Sequence, residues 1–141
     1  CDFEFVVPLK RSDGNPEECN FTGGTQIYLS PEQLEKKLPY DPIKLEIFSL
    51  AITFINLITG SEVFMHDVVN DPKFKFIKND KFNEFWANIK LSKFLSSSLK
   101  NLFEKMLKYE AKDRIDLEEI RRHEWVFLPV FNNLEVGTFL D

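Results

Sequence analysis

The sequence predicts a single, mainly α-helical domain. Three observations carry this prediction. An apolar run from Ile43 to Ile58 is too hydrophobic for a surface helix, Leu99, Leu102, Phe103, Met106 and Leu107 recur at helical spacing, and helix-starting residues stand ahead of the periodic segments. A chain of 141 residues builds one hydrophobic core but leaves little room for a second domain.

Residues 1–7, CDFEFVV, are apolar and β-prone, which predicts a short strand closed by Pro8. From Lys10 to Thr25 the chain is polar, with an Asp13-Gly14-Asn15-Pro16 turn cluster and Gly23-Gly24, so a long loop is expected. Ser30, Pro31 and Glu32 follow the order of an N-cap, a first-turn proline and a first-turn acid, predicting a short helix to about Lys37. Between Ile43 and Ile58 apolar side chains fall on nearly every face, with Gly60 placed to cap the end, so this helix should lie at the centre of the core.

Phe74, Ile77, Phe82, Phe85, Trp86 and Ile89 give a looser helical pattern that Asn79-Asp80 breaks, predicting two short helices. Ser96 to Ser98 introduce one amphipathic helix, and Asp116 introduces another carrying Leu117, Ile120 and Trp125. The tail from Pro129 to Asp141 has no periodicity, and no internal repeat is present.

Composition narrows the function classes. A net charge of −5 argues against broad electrostatic binding to nucleic acid or to an anionic membrane. The longest apolar stretch, Ile47 to Ile58, is interrupted by Ser49, Thr53 and Asn56 and falls short of the roughly 20 residues of a membrane span, so none is expected. Two cysteines, Cys1 and Cys19, form no disulfide framework and no zinc spacing, which suits a reducing, cytoplasmic compartment. A first residue of Cys1 rather than Met suggests a fragment or a processed product.

The order of motifs is more specific than any one of them. Cys1-Asp2-Phe3-Glu4 is followed, after the polar loop, by Gly24-Thr25-Gln26-Ile27-Tyr28-Leu29-Ser30-Pro31-Glu32 and then by Leu45-Glu46-Ile47-Phe48-Ser49-Leu50 in the apolar helix. Lys112-Asp113-Arg114-Ile115 and His123-Glu124-Trp125 close the series. Together these resemble the C-terminal lobe of a eukaryotic protein kinase domain of the serine/threonine branch, with a calmodulin-kinase-like flavour from Asp80 to Trp86. The resemblance implies a partial kinase domain over residues 1–128 with an activation segment at 2–32, a helical lobe at 33–128, a tail at 129–141 and no small lobe.

What the resemblance implies can be stated by residue. Asp2 would hold magnesium on the ATP phosphates, Thr25 and Tyr28 would belong to the site for a protein substrate, and Thr22 is the activation-loop phosphorylation candidate, with Ser12 as a further loop hydroxyl. Glu32 and Arg114 would form a buried ion pair, and Glu46 would take the place of a family aspartate that accepts backbone hydrogen bonds from the catalytic loop, so a partner is expected for it. His123 and Trp125 read as packing groups.

The implied activity is transfer of the ATP γ-phosphate to serine or threonine of proteins. The glycine-rich loop, the nucleotide lysine and the catalytic base are not in this sequence, so the chain alone should not catalyse. Glu4 in place of the family's glycine, together with Glu46, supports the alternative of a pseudokinase or interaction scaffold, and an incomplete gene product is a third reading.

Overall fold

A computed structural model describes residues 6, 8, 10, 12, 14, 20, 23–65 and 68–127. Its described residues form six α-helices joined by 3-10 turns, with no strand among them. The strand expected at residues 1–7 lies outside the described residues apart from Val6, and the tail at 129–141 lies wholly outside them.

Helix α1, Pro31–Leu34, begins at Ser30, whose backbone N–H and Oγ both donate to Gln33 Oε1, at 3.1 and 3.2 Å. It stops short of the expected Lys37. Lys36 turns into the left-handed region at φ 55, and Leu38 precedes a proline, which disfavours continued helix.

Helix α2, Pro42–Thr59, starts one residue before the expected Ile43 because Asp41 caps it, accepting from the Ile43 and Lys44 N–H groups at 2.9 and 3.3 Å. Gly60, at φ 64, ends it in the left-handed conformation that a Cβ would penalise, and its N–H donates to Asn56 O at 2.9 Å. Ile47, Phe48, Ala51, Ile52 and Ile55 lie in the main core. The expectation of burial on nearly every face is corrected, since Glu46, Leu50, Phe54, Leu57 and Ile58 are exposed along the other side. Among the described helices α2 alone is long and apolar enough to cross a bilayer, by length and composition. Seven of its residues are nevertheless buried inside the protein, and a core helix has this same composition.

Helices α3, Pro72–Lys78, and α4, Phe82–Ala87, are separated where Asp80 takes φ 56. Asp71 caps α3 by accepting from Lys73 N at 2.8 Å. Both helices turn aromatic rings inward, with Phe64 against Phe74 at 6.0 Å and Phe85 against Trp86 at 5.0 Å in edge-on geometry. Helix α5, Ser97–Met106, buries Leu99, Leu102, Phe103 and Met106, and Ser96 caps it by accepting from Leu99 N at 3.2 Å.

Helix α6, Leu117–Arg121, carries an Asp116–Glu119 capping box and ends well before the expected Trp125. The turn that follows tightens to i→i+3 bonds, and His123 Nδ1 accepts from the Trp125 N–H at 3.4 Å. Trp125 therefore sits in a 3-10 turn, Glu124–Phe127, rather than on the helix's apolar stripe.

The two faces of α2 predict different costs for the same kind of truncation. Ile52→Ala, at a fully buried position, should lower the unfolding free energy of the chain by about 2–5 kcal/mol in urea titration, whereas Leu57→Ala, at a position 71% exposed, should change it by no more than about 0.5 kcal/mol. Equal costs would contradict the assignment of faces.

Candidate functional site

The segment from Gly24 to Glu35 is held against the helical core at successive points. Gly24 has φ 113, and a Cβ there would lie 3.2 Å from Leu29 Cδ2, so both conformation and space favour glycine. The 3-10 turn Gln26–Tyr28 follows, closed by Tyr28 N to Thr25 O at 3.0 Å and Leu29 N to Gln26 O at 3.2 Å. Ile27 enters the main core, Tyr28 packs half-buried against it, and Thr25 and Gln26 face solvent. From α2, Ser49 Oγ donates to the Tyr28 carbonyl at 2.8 Å.

Arg114, whose side chain is fully buried, anchors the next point. Its Nη1 and Nη2 donate to Glu32 Oε1 and Oε2 at 2.8 and 2.9 Å, a two-pronged contact that matches the planar fork to the carboxylate. The remaining N–H groups go to backbone carbonyls: Nη1 to Lys44 at 2.6 Å, Nε to Lys108 at 3.0 Å and Nη2 to Tyr109 at 3.3 Å. The guanidinium also lies 5.2 Å from the Phe48 ring centroid. Every donor of the fork is thus occupied, which a buried cation requires.

The third point was not anticipated from sequence. Glu35 accepts from Lys37 Nζ at 2.5 Å, from Lys78 Nζ at 3.1 Å and from the Tyr109 hydroxyl. Hydrogen bonding from Lys37 and then from Tyr109 holds its pKa down at about 2. Both ammonium groups also lie over the Tyr109 ring, at 5.7 and 4.9 Å. Tyr109 itself is raised, by burial first and by the Glu35 contact second.

The other predicted residues divide plainly. Glu46 is exposed on the open side of α2 and has no partner among the described residues, and the catalytic loop that the resemblance makes its partner is not part of this sequence. His123 is buried, with Nε2 bonded to Asn101 Oδ1 at 3.1 Å, and burial followed by the Lys105 charge lowers its pKa. Ser12 is exposed in a turn. Asp2, Glu4 and Thr22 lie outside the described residues. Among the described residues no group of three or more His, Cys, Asp or Glu side chains is placed to hold a metal ion.

A glycine-led segment clipped by a buried carboxylate–guanidinium pair onto a helical lobe defines a class, and sequence comparison agrees with it. The chain belongs to the protein kinase domain family, whose sequence profile matches residues 1–126. Its relatives are eukaryotic kinases. It is 31% identical over 103 residues to an Aurora kinase of Saccharomyces cerevisiae, covering 73% of this chain and 25% of that protein. To calcium-dependent protein kinase 5 of Plasmodium falciparum it is 30% identical over 121 residues, covering 84% and 20%. To a mouse testis-specific serine/threonine-protein kinase 1 it is 31% identical over 103 residues, covering 73% and 26%. The chain therefore spans only a fifth to about a quarter of these relatives.

Two outcomes follow from the charges. Glu32→Ala leaves a buried guanidinium without its counter-charge and should cost about 3–5 kcal/mol in urea unfolding, whereas Glu118→Ala, which breaks an exposed pair with Arg121, should cost less than about 1 kcal/mol. Glu35 has a folded pKa of about 2 against an ordinary 4.5, so its contribution is complete above pH 4.5 and is lost as pH falls toward 2. Thermal melts between those limits should show a shallower acid decline in Glu35→Gln than in the wild type.

Proposed function

We propose that the intact protein transfers the γ-phosphate of ATP to serine or threonine of protein substrates, with this chain supplying the activation segment at 2–32 and the helical lobe at 33–128. The observation that carries the reading is the Glu32–Arg114 clip, which fastens the Gly24-Thr25 to Pro31-Glu32 segment onto the lobe at 2.8 and 2.9 Å. Thr25 and Tyr28 on the turn ahead of it would meet the protein substrate, and Thr22 would be the phosphorylation acceptor of the loop.

Asp2 would hold magnesium on the ATP phosphates, since a hard cation prefers carboxylate oxygen. When bound, the ion supplies neutralisation of charge on the transferring phosphoryl group. The sequence contains no G-x-G-x-x-G loop and no His-Arg-Asp, so this chain needs the remainder of a kinase domain to bind nucleotide and catalyse. Exposed Glu46, Leu50, Phe54 and Leu57 offer that remainder a surface on α2. ATP, magnesium and a protein substrate are the implied partners, and the cytoplasm the implied location.

A scaffold without phosphotransfer is the second reading, favoured by Glu4 where the family has glycine. Full-length protein assayed for magnesium-dependent phosphate transfer to a generic protein substrate separates the two. The kinase reading expects turnover that falls by more than about a hundredfold in Asp2→Ala, on the scale of losing one strong electrostatic contact to the transition state. Absence of both turnover and nucleotide binding in the wild type would favour the scaffold.

A further inference from the structure

We infer that Ser49 is a positioning residue for the turn that carries Thr25 and Tyr28, acting through the Tyr28 carbonyl. The inference rests on the kinase reading for its consequence and on geometry for its cause.

Hydroxyl side chains within a helix ordinarily bond back to the carbonyl four residues earlier. Thr53 does so to Ser49 O at 2.9 Å, and Thr59 to Ile55 O at 2.7 Å. Ser49 departs from that habit: its Oγ donates instead to Tyr28 O, 21 residues away, at 2.8 Å. Among the described residues this is the hydrogen bond that the Tyr28 carbonyl receives. The 3-10 turn ends at Tyr28, and Pro31, the residue that an i→i+3 bond to that carbonyl would need as donor, has no N–H, so the carbonyl is left over.

The other fasteners of the turn act elsewhere. Ile27 fixes its depth in the core, and Gly24 sets the bend at its entrance. The Tyr28–Leu29 peptide is held at both of its polar groups, its N–H by the Gln26 carbonyl within the turn and its C=O by Ser49, and of these two bonds the Ser49 one ties the peptide to α2. Ser49 is well placed as a reference because its helix neighbours Ile47, Phe48, Ala51 and Ile52 are locked in the core. One neutral hydrogen bond governs orientation without carrying the stability of the fold.

The test compares Ser49→Ala and Ser49→Thr in the full-length protein, using a synthetic peptide substrate. Ser49→Ala should raise KM for the peptide about 3- to 10-fold, the equivalent of one neutral hydrogen bond, while KM for ATP and kcat stay within about 2-fold. Ser49→Thr, which keeps the hydroxyl, should restore peptide KM. An unchanged peptide KM in Ser49→Ala, or peptide and ATP KM rising together with a lowered melting temperature, would overturn the inference. Should the wild type transfer no phosphate, the kinase reading falls, and hydrogen exchange at the Tyr28 and Leu29 amides decides the positioning role alone. Faster exchange in Ser49→Ala that Ser49→Thr reverses upholds it, and no difference refutes it.

Discussion

The structure depends on one buried cation. Arg114 draws together the start of α1 through Glu32, the start of α2 through the Lys44 carbonyl, and the chain beyond α5 through the Lys108 and Tyr109 carbonyls. Lys44 answers in kind, its ammonium donating to the Arg114 carbonyl, so the two residues hold each other's backbone. Lysine could not substitute for this arginine, because an ammonium offers no flat fork to match a carboxylate and to reach several carbonyls at once. Taking a guanidinium out of water is costly, and geometry this complete is what offsets the cost.

Helix α2 does two jobs, and its sides differ accordingly. One side packs Phe48, Ala51, Ile52 and Ile55 into the main core and presents the Phe48 ring to Arg114. The other leaves Leu50, Phe54 and Leu57 in contact with solvent beside an exposed Glu46. A row of apolar side chains on a rigid helix is an unmet demand for burial, and the matched relatives are at least about four times as long as the segments aligned to this chain. The open side of α2 is therefore where the proposed remainder of the domain would gain most by packing.

What could be read from the sequence was local. Gly60 after an apolar run, Asn79-Asp80 between two aromatic clusters, and Ser96 before a three-and-four repeat mark helix ends that the structure places within a few residues. Asp41 is equally local, an Asp-Pro start standing just ahead of the apolar run. Helix α6 shows the limit of periodicity: Leu117, Ile120 and Trp125 share helical spacing, yet His123 draws the backbone into a tighter turn before Trp125 is reached. Exposure of Glu46 was unreadable for a different reason, since hydrophobic neighbours in sequence do not reveal which side of a helix the rest of the chain covers. The Glu35 cluster left no signal, as its partners Lys78 and Tyr109 lie 43 and 74 residues away.

The segment from Gly24 to Glu35 is fastened by three interactions of different chemistry, and the order matters for how it behaves. Nearest the 3-10 turn Gln26–Tyr28 is a neutral hydroxyl–carbonyl bond, in the middle a buried ion pair, and at the far end a partly exposed cluster of Glu35, Lys37, Lys78 and Tyr109. Salt and acid reach the outer cluster first, because exposed charges are screened and buried ones much less so. The Glu32–Arg114 pair lies between the turn and that cluster, and with the Arg114 side chain fully buried it is screened far less. The turn that carries Thr25 and Tyr28 is therefore set by its least environment-sensitive bond, and the charges stand behind it as anchorage.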